Sequence, residues 1–402
     1  MSAYSSVTEE ACRPVRRTLF AGCLLVLTAQ MATTLHLPSL PAVARDLGVS
    51  RSYAGLSVSL FVVGAAAPVL FWGKAADRYG RRAAALAALA LFTGAGLLLA
   101  TELPPAGLLV ARCVQGAGAG GAAIVARIFV RDLGGGDALA RRLSLLSVAF
   151  VAALGGGQFL GGLIGAYAHW RTGFLVLAGL GLGCALAVAT LPLEPGRPRP
   201  EGHAATGVYL RLLRQPSFLR PTAAGGLGFA VIVLLQEVAP FLYQRQLGVS
   251  TEGYGRVGLL LGAAYCAGAL LVNRLAASAG ARRLMRVGAL VMAASGGLTV
   301  CLWLLPALPA PATFTVFTVL YGAITFGQAA LFPSSMAVAA DGARDDSAYA
   351  IALGGFLAQS VAGVVAVGAV FLHHNLVWAA VVTGLGCLAW LLVREGAGAG
   401  RG

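Results

Sequence analysis

The tetrapeptide Leu47-Gly48-Val49-Ser50 returns as Leu247-Gly248-Val249-Ser250, 200 residues on in a chain of 402. Four common residues can recur by chance, so the flanks decide. Each copy follows a long apolar run that ends in proline: Pro38 and Pro41 before the first, Pro240 before the second. Each is followed by a few polar residues with a tyrosine, Tyr53 or Tyr254, and then by a second apolar run. Beyond that run the register persists. Gly73–Arg82 (GKAADRYGRR) lies over Asn273–Arg282 (NRLAASAGAR), matching Ala76 to Ala276, Gly80 to Gly280 and Arg82 to Arg282. Matches held at one offset indicate an internal duplication, with a period too long for a solenoid and suited to two half-molecules of similar design.

The composition says what those halves are. The chain is 58% hydrophobic and 11% charged, against roughly 25% charged in soluble domains. So few charges cannot cover a globule of this size in water, and the chain reads as an all-α polytopic membrane protein. The 55 glycines suit close helix packing in lipid. The apolar runs are continuous, without the alternation of a membrane β-barrel. Hydropathy predicts twelve spans near 18–38, 53–73, 83–101, 106–129, 143–167, 172–192, 220–243, 255–277, 286–304, 312–335, 347–371 and 375–393. These divide into an N-terminal six-helix bundle (1–192), a Pro/Gly/Arg-rich linker (193–219) and a C-terminal six-helix bundle (220–402).

The formal charge of +14 raises the question of a nucleic-acid partner. Its distribution answers in favour of topology. With a cytoplasmic N-terminus, 22 of the 29 basic residues fall inside, among them Arg16, Arg17, Lys74, Arg81, Arg131, Arg211, Arg283 and Arg394. Only Arg45, Arg51, Arg171, Arg245 and Arg256 fall outside. This bias predicts both termini inside a bacterial-type inner membrane. The cations then serve orientation and lipid contact, and no nucleic-acid partner is called for. The seven cysteines are scattered and form no CxxC pair.

A Gly-x-Gly-x-x-Gly pattern occurs at Gly116, Gly118 and Gly121, but mid-span, where helix packing is the better explanation than a nucleotide. The chain has no GxxxxGK[ST] loop, no HExxH and no paired intramembrane carboxylates, so an enzyme is poorly supported. More specific is the loop Gly73-Lys74-Ala75-Ala76-Asp77-Arg78-Tyr79-Gly80-Arg81-Arg82, with four cations around one carboxylate at a helix end. A plain positive-inside loop explains the cations alone. The mixed charges with turn glycines suggest pairs that form in one conformation and break in another.

That loop resembles the signature of the major facilitator superfamily. Ala111–Asp132 (ARCVQGAGAGGAAIVARIFVRD) resembles the fourth-span motif of its twelve-span drug:proton antiporters, especially the Bcr/CflA group. Gly155–Phe174 (GGGQFLGGLIGAYAHWRTGF) resembles that group's fifth-span antiporter motif, and LPSLPAVARDLG and APFLYQRQLG resemble the ends of its spans 1 and 7. The resemblance covers nearly the whole chain. It implies two pseudo-symmetric six-helix bundles around a central cavity, working without a bound cofactor on the proton gradient. Two departures stand out. Thr33-Thr34-Leu35-His36 replaces the acidic residue usual near the end of span 1, and Gln158 replaces the proline usual after Gly157.

Polar side chains inside spans are costly and usually face a bundle interior or a cavity. Gln30, Thr33 and Thr34 share one face of span 1; Arg112 and Gln115 lie in span 4, Gln236 and Glu237 in span 7. Thr318, Tyr321, Thr325 and Gln328 form a stripe on span 10, and Gln158 and Gln359 occupy equivalent places in spans 5 and 11. The resemblance makes spans 1, 4, 7 and 10 cavity-lining. For the glutamines and threonines, bonding between helices is as good an explanation as substrate contact. Glu237 is the one carboxylate clearly inside a span, and a carrier of protons needs such a group. His36 is a second titratable candidate.

The expectation is a monomeric secondary transporter in the lipid bilayer. It would export a small organic molecule, an antibiotic or a secreted metabolite such as a siderophore, against inward proton flow. Arg112 and Gln115 are the expected substrate contacts, and an Arg112–Glu237 ion pair is geometrically possible. With Arg112 present and no acid in span 1, neutral or anionic substrates are favoured. An importer of the same fold is the first alternative, and a membrane sensor or enzyme the second.

Overall fold

The computed structural model describes residues 2–133, 136–191, 204–305, 308–343, 347–369, 371–372 and 374–394. Within them every regular element is helical, as a lipid-embedded chain requires: with no water to bond to, each backbone N–H and C=O must be satisfied within its own segment. Eleven helices are long and apolar enough to cross a membrane, and a bent pair supplies a twelfth crossing. Span 1 is Val15–Asp46, span 3 Arg81–Leu99, span 4 Pro105–Asp132, span 5 Leu145–Tyr167 and span 6 Thr172–Ala189. In the second half, spans 7 to 12 are Pro216–Gln246, Thr251–Ala276, Ala281–Leu304, Ala310–Gly342, Tyr349–Ala369 and Asn375–Arg394.

Span 2 is the bent pair, helices Arg51–Ala66 and Val69–Tyr79, which meet at 45° across Pro68. A proline ring cannot donate to the carbonyl one turn back and clashes with it, so the helix breaks there. The missing proline at Gln158 has the opposite effect: span 5 belongs to one uninterrupted helix, Gly136–Tyr167. Spans 1 and 7 both extend past their expected ends. Span 1 tightens into a 3₁₀ turn over Leu37–Ser39, then runs on as Leu40–Asp46. Span 7 begins at Pro216, four residues before the expected 220, and ends in a π-turn over Leu242–Gln246. Of the expected linker, residues 192–203 lie outside the described residues. Its remainder includes a helix, Ala204–Leu212, whose Val208 and Leu212 are buried with Phe218, Ala339 and Leu353 of the C-terminal half.

The duplication is visible in the backbone. Four glycines have positive φ, and they form two pairs 200 residues apart: Gly48 (61°) with Gly248 (66°), and Gly80 (92°) with Gly280 (75°). Side chains other than glycine rarely adopt this region. The repeated Leu-Gly-Val-Ser is thus a turn and a cap. The glycine reverses the chain, and the serine hydroxyl accepts from a backbone N–H in the next helix, Tyr53 N after Ser50 and Gly253 N after Ser250. The face of the molecule bearing these loops is called the LGVS face below, and the opposite one the terminal face.

Gly116, Gly118 and Gly121 are packing residues. A Cβ on Gly116 would lie 2.1 Å from the Phe61 carbonyl of span 2, and one on Gly118 would lie 2.5 Å from the Phe92 nitrogen of span 3. The two halves meet along a seam. Each hydrogen bond that crosses it among the described residues lies towards the LGVS face: Gln244 to the Pro38 carbonyl (2.8 Å), Arg51 to the Leu372 carbonyl (2.8 Å), Tyr167 to Glu252 (3.0 Å), Gln158 to the Tyr254 carbonyl (3.1 Å), and Ser59 to Glu237. Spans 5 and 8 touch there backbone to backbone, with an added Cβ on Gly162 only 2.6 Å from the Gly255 Cα. The seam is closed on the LGVS face, and none of these bonds lies at the terminal face.

Candidate functional site

Glu237 lies in the closed seam. It is 6% exposed, near the LGVS end of span 7, and Ser59 of span 2 donates to its Oε1. Gly55, one helical turn before Ser59, leaves room for it: a Cβ there would meet Glu237 at 3.8 Å. A carboxyl of the C-terminal half is thus held by a hydroxyl of the N-terminal half. No cation pairs with it among the described residues.

Arg112 does not pair with Glu237, contrary to what the sequence made geometrically possible. Span 2 stands between them. Gly55 and Ser59, at i and i+4, turn towards Glu237, while Ser57 and Phe61 occupy the other face of the same helix and meet Arg112. The Arg112 guanidinium is fully buried. It donates to the Ser57 carbonyl (3.2 Å), the Ala32 carbonyl (3.2 Å) and Gln115 Oε1 (2.7 Å), and it lies over the Phe61 ring at 4.4 Å and the Phe174 ring at 5.7 Å. These bonds tie spans 1, 2 and 4 of one bundle together. One terminal nitrogen, Nη2, and the Gln115 Nε2 have no hydrogen-bond partner.

His36 belongs to the same cluster. Its ring packs on Phe174 at 5.1 Å, and its Nε2 is 3.1 Å from Ser57 Oγ. Ser57 has one hydroxyl proton, which goes to the Ala54 carbonyl at 2.6 Å. Nε2 is therefore the donor, which assigns the tautomer. His36 is 2% exposed and does not meet Glu237 among the described bonds.

The remaining expected cavity residues divide. Thr34 donates to the Ala153 carbonyl of span 5 at 3.0 Å, a bond between helices, while Gln30 and Thr33 are half-buried. Gln158 is a seam residue, joining span 5 to Tyr254 of span 8. Gln236, Tyr321, Thr325 and Gln328 are buried. Tyr321 stacks near Phe317 at 6.0 Å, and Thr325 donates back to its own helix at Tyr321. Gln328 packs on Gly228 of span 7, its Oε1 unbonded, and the half-buried Gln359 also has an unbonded Oε1. Arg127 of span 4 is exposed although protein surrounds it on most sides, which places it on the wall of a solvent-open vestibule.

The charged loop at the terminal face contains one cation between two acids. Gly80 turns the chain, and Arg81 lies 3.3 Å from Asp77 and 2.9 Å from Asp132 at the end of span 4, donating also to the Ala76 carbonyl. The sequence gave the loop a single acid and missed Asp132, although it closes the span 4 motif. Lys74 and Arg78 are exposed, Gly73 and Arg82 half-buried. Among the described residues the loop makes no hydrogen bond or ion pair to the C-terminal half. Also missed were Ser57, Ser59 and Tyr254. Adjacent hydroxyls in an apolar run (Ser57-Val58-Ser59) were the available signal.

This architecture has known relatives. The family model for the Major Facilitator Superfamily matches residues 22–367. The "Uncharacterized MFS-type transporter YdgK" of Bacillus subtilis is 28% identical over 82% of both chains. The "Multidrug resistance protein MdtL" of Klebsiella pneumoniae is 29% identical over 61% of this chain and 63% of its own length, and that of Vibrio parahaemolyticus 30% identical over 60% and 61%. Among solved structures, a D-xylose-proton symporter superposes with a TM-score of 0.76 at 16% identity, covering 96% of this chain and 97% of its own. A peptide transporter POT in complex with sulfate gives 0.78 at 15%, covering 94% and 93%. At such identities the structures speak for the fold alone. With the family model spanning most of the sequence and twelve crossings in two duplicated halves, the chain belongs to the major facilitator superfamily and is a transporter, not an enzyme.

Proposed function

We propose that this transporter exports a small organic molecule in exchange for protons, and that Glu237 carries the proton. The observation behind this reading is the position of Glu237: a buried carboxyl in the seam that must part during alternating access, bonded to the opposite half through Ser59. An ionised carboxylate enclosed there has one hydroxyl and no cation to stabilise it. Carrying a proton, it is enclosed at far lower cost. Closure of the LGVS face and protonation of Glu237 are therefore coupled, and each biases the other.

The orientation with the terminal face in the cytoplasm follows from the arginine bias. The conformation described is then inward-facing. A proton taken up outside travels with the closing seam and is released inside, and substrate entering from the cytoplasm favours the return. The names of the MdtL relatives support drug efflux as the direction and class. The fifth-span resemblance supports antiport of the Bcr/CflA kind, and a siderophore-like metabolite is a further candidate cargo.

Arg112 takes a structural part in this scheme, since its fork is filled by carbonyls of its own bundle. Arg127, on the vestibule wall, is the cation that a neutral or anionic substrate meets first. The test uses everted membrane vesicles acidified by respiration. A transported drug, found by screening a panel that includes phenicols, should dissipate the pH gradient with wild-type protein and not with Glu237→Gln. Equal dissipation by both would overturn the assignment of the proton to Glu237. Accumulation in right-side-out cells rather than everted vesicles would reverse the direction.

A further inference from the structure

We infer that the LGVS face contains an anion site, formed only when the seam is closed. Five arginines lie on this face. Two are paired with acids: Arg171 lies 3.1 Å from Asp46, and Arg256 lies 2.5 Å from Glu252. The other three, Arg45, Arg51 and Arg245, converge on one cavity of about 470 Å³ whose lining contains no carboxylate. Asp46 is next to Arg45 in sequence but is held away from the cavity by Trp170 at 2.9 Å and by Arg171.

Arg45 and Arg245 stand at equivalent positions of the duplicated halves, one on each side of the seam. Arg51, which also donates to the Leu372 carbonyl, opens span 2. Gln246 adds a polar amide, and Phe241 and Val49 give the cavity an apolar floor. Three guanidiniums brought together by closure repel one another. A small oxyanion with two or more charges removes that repulsion and accepts their N–H groups in pairs. The ligand class is a phosphate, a phosphate ester or a polycarboxylate, either free in solution or as the phosphate of a lipid headgroup. Because the lining comes from both halves, parting the seam separates the arginines. The anion therefore binds the closed conformation and holds it, so an external anion slows opening towards its own side.

The experiment uses the full chain purified in a neutral detergent, with spin labels at Glu102 and Leu308, exposed sites on the LGVS face of opposite halves. Inorganic pyrophosphate is titrated at ionic strength held constant with sodium chloride. The melting temperature should rise saturably, and the label distance should narrow to the closed value. The double variant Arg45→Gln/Arg245→Gln, both exposed positions, should weaken the response by roughly tenfold or more, as expected for loss of charge-assisted bonds. A parallel arm places the protein in nanodiscs with and without phosphatidylglycerol. A response to the lipid alone that requires the two arginines assigns the site to a headgroup phosphate. No response in either arm, or an equal response in the double variant, overturns the proposal. Glu237→Gln should retain the pyrophosphate response, so this result stands apart from the fate of the proton assignment.

Discussion

Replacing Gly162 by alanine should open the LGVS face. The built Cβ lies 2.6 Å from the Gly255 Cα, 3.0 Å from the Thr251 carbonyl and 3.1 Å from the Gly255 nitrogen. Carbon atoms in good contact stand ~3.5–4.0 Å apart, so span 8 must retreat by about 1 Å, and all three near atoms are backbone. Overpacking of this kind costs ~1–3 kcal/mol. In a permanent interface that cost would lower stability and nothing else. Here it falls only on the closed conformation, because the contact exists only when spans 5 and 8 meet. The closed-to-open ratio should therefore drop by ~5- to 150-fold. Electron–electron distance measurement between spin labels at Glu102 and Leu308 reads this directly, as a shift of the population to longer distances. Gly156→Ala is the control: nothing lies within 4 Å of its Cβ, and it should be silent. Gly161→Ala, whose Cβ would lie 2.0 Å from the Leu35 carbonyl within one bundle, should lower the melting temperature without moving the distance. An unchanged distribution in Gly162→Ala would refute the claim that this seam is the moving gate.

Arg112→Lys should destabilise the N-terminal bundle by on the order of 2–3 kcal/mol, because an ammonium cannot reach the Ser57 and Ala32 carbonyls and Gln115 together; thermal unfolding of the purified variant measures this, and a wild-type melting temperature would contradict it. Asp77→Asn leaves Arg81 held by Asp132, so stability should change by no more than ~1 kcal/mol, as for an exposed pair, while turnover falls; normal turnover would remove the loop from gating. Ser59→Ala should loosen proton coupling and leave substrate binding intact, read as substrate efflux with a smaller proton flux in everted vesicles. For orientation, a cysteine at Leu213 should react only with reagents that reach the cytoplasm and one at Thr251 with impermeant reagents outside; reversed labelling would invert the topology.

Much of the fold was legible because its determinants are local or periodic. Continuous apolar length announces a span, and the repeated Leu-Gly-Val-Ser carried its own geometry, a glycine for positive φ and a serine for a cap. Pro68 marked the bend in span 2 in retrospect, since nothing in its neighbourhood could supply the missing bond. The site was legible only in part. Glu237 stood out as an acid in an apolar run, but its partner Ser59 lies 178 positions away, and Tyr254 lies 96 from Gln158. Helical phase relates residues on one helix and says nothing of how two helices are turned towards each other. That is why Arg112 and Glu237, at similar depths along their spans, looked like partners, while span 2 in fact passes between them. The same limit hid Asp132 from Arg81, 51 positions away.

The central claim is that Glu237, in the seam, is the group that gains and loses the coupling proton. Infrared difference spectroscopy of the purified protein during a pH titration tests it without any substrate. The account predicts a carbonyl stretch of a neutral, buried carboxyl that disappears as the pH rises in wild-type protein and is missing in Glu237→Gln. A wild-type spectrum with no titrating buried carboxyl, or the same titrating band in Glu237→Gln, would contradict it.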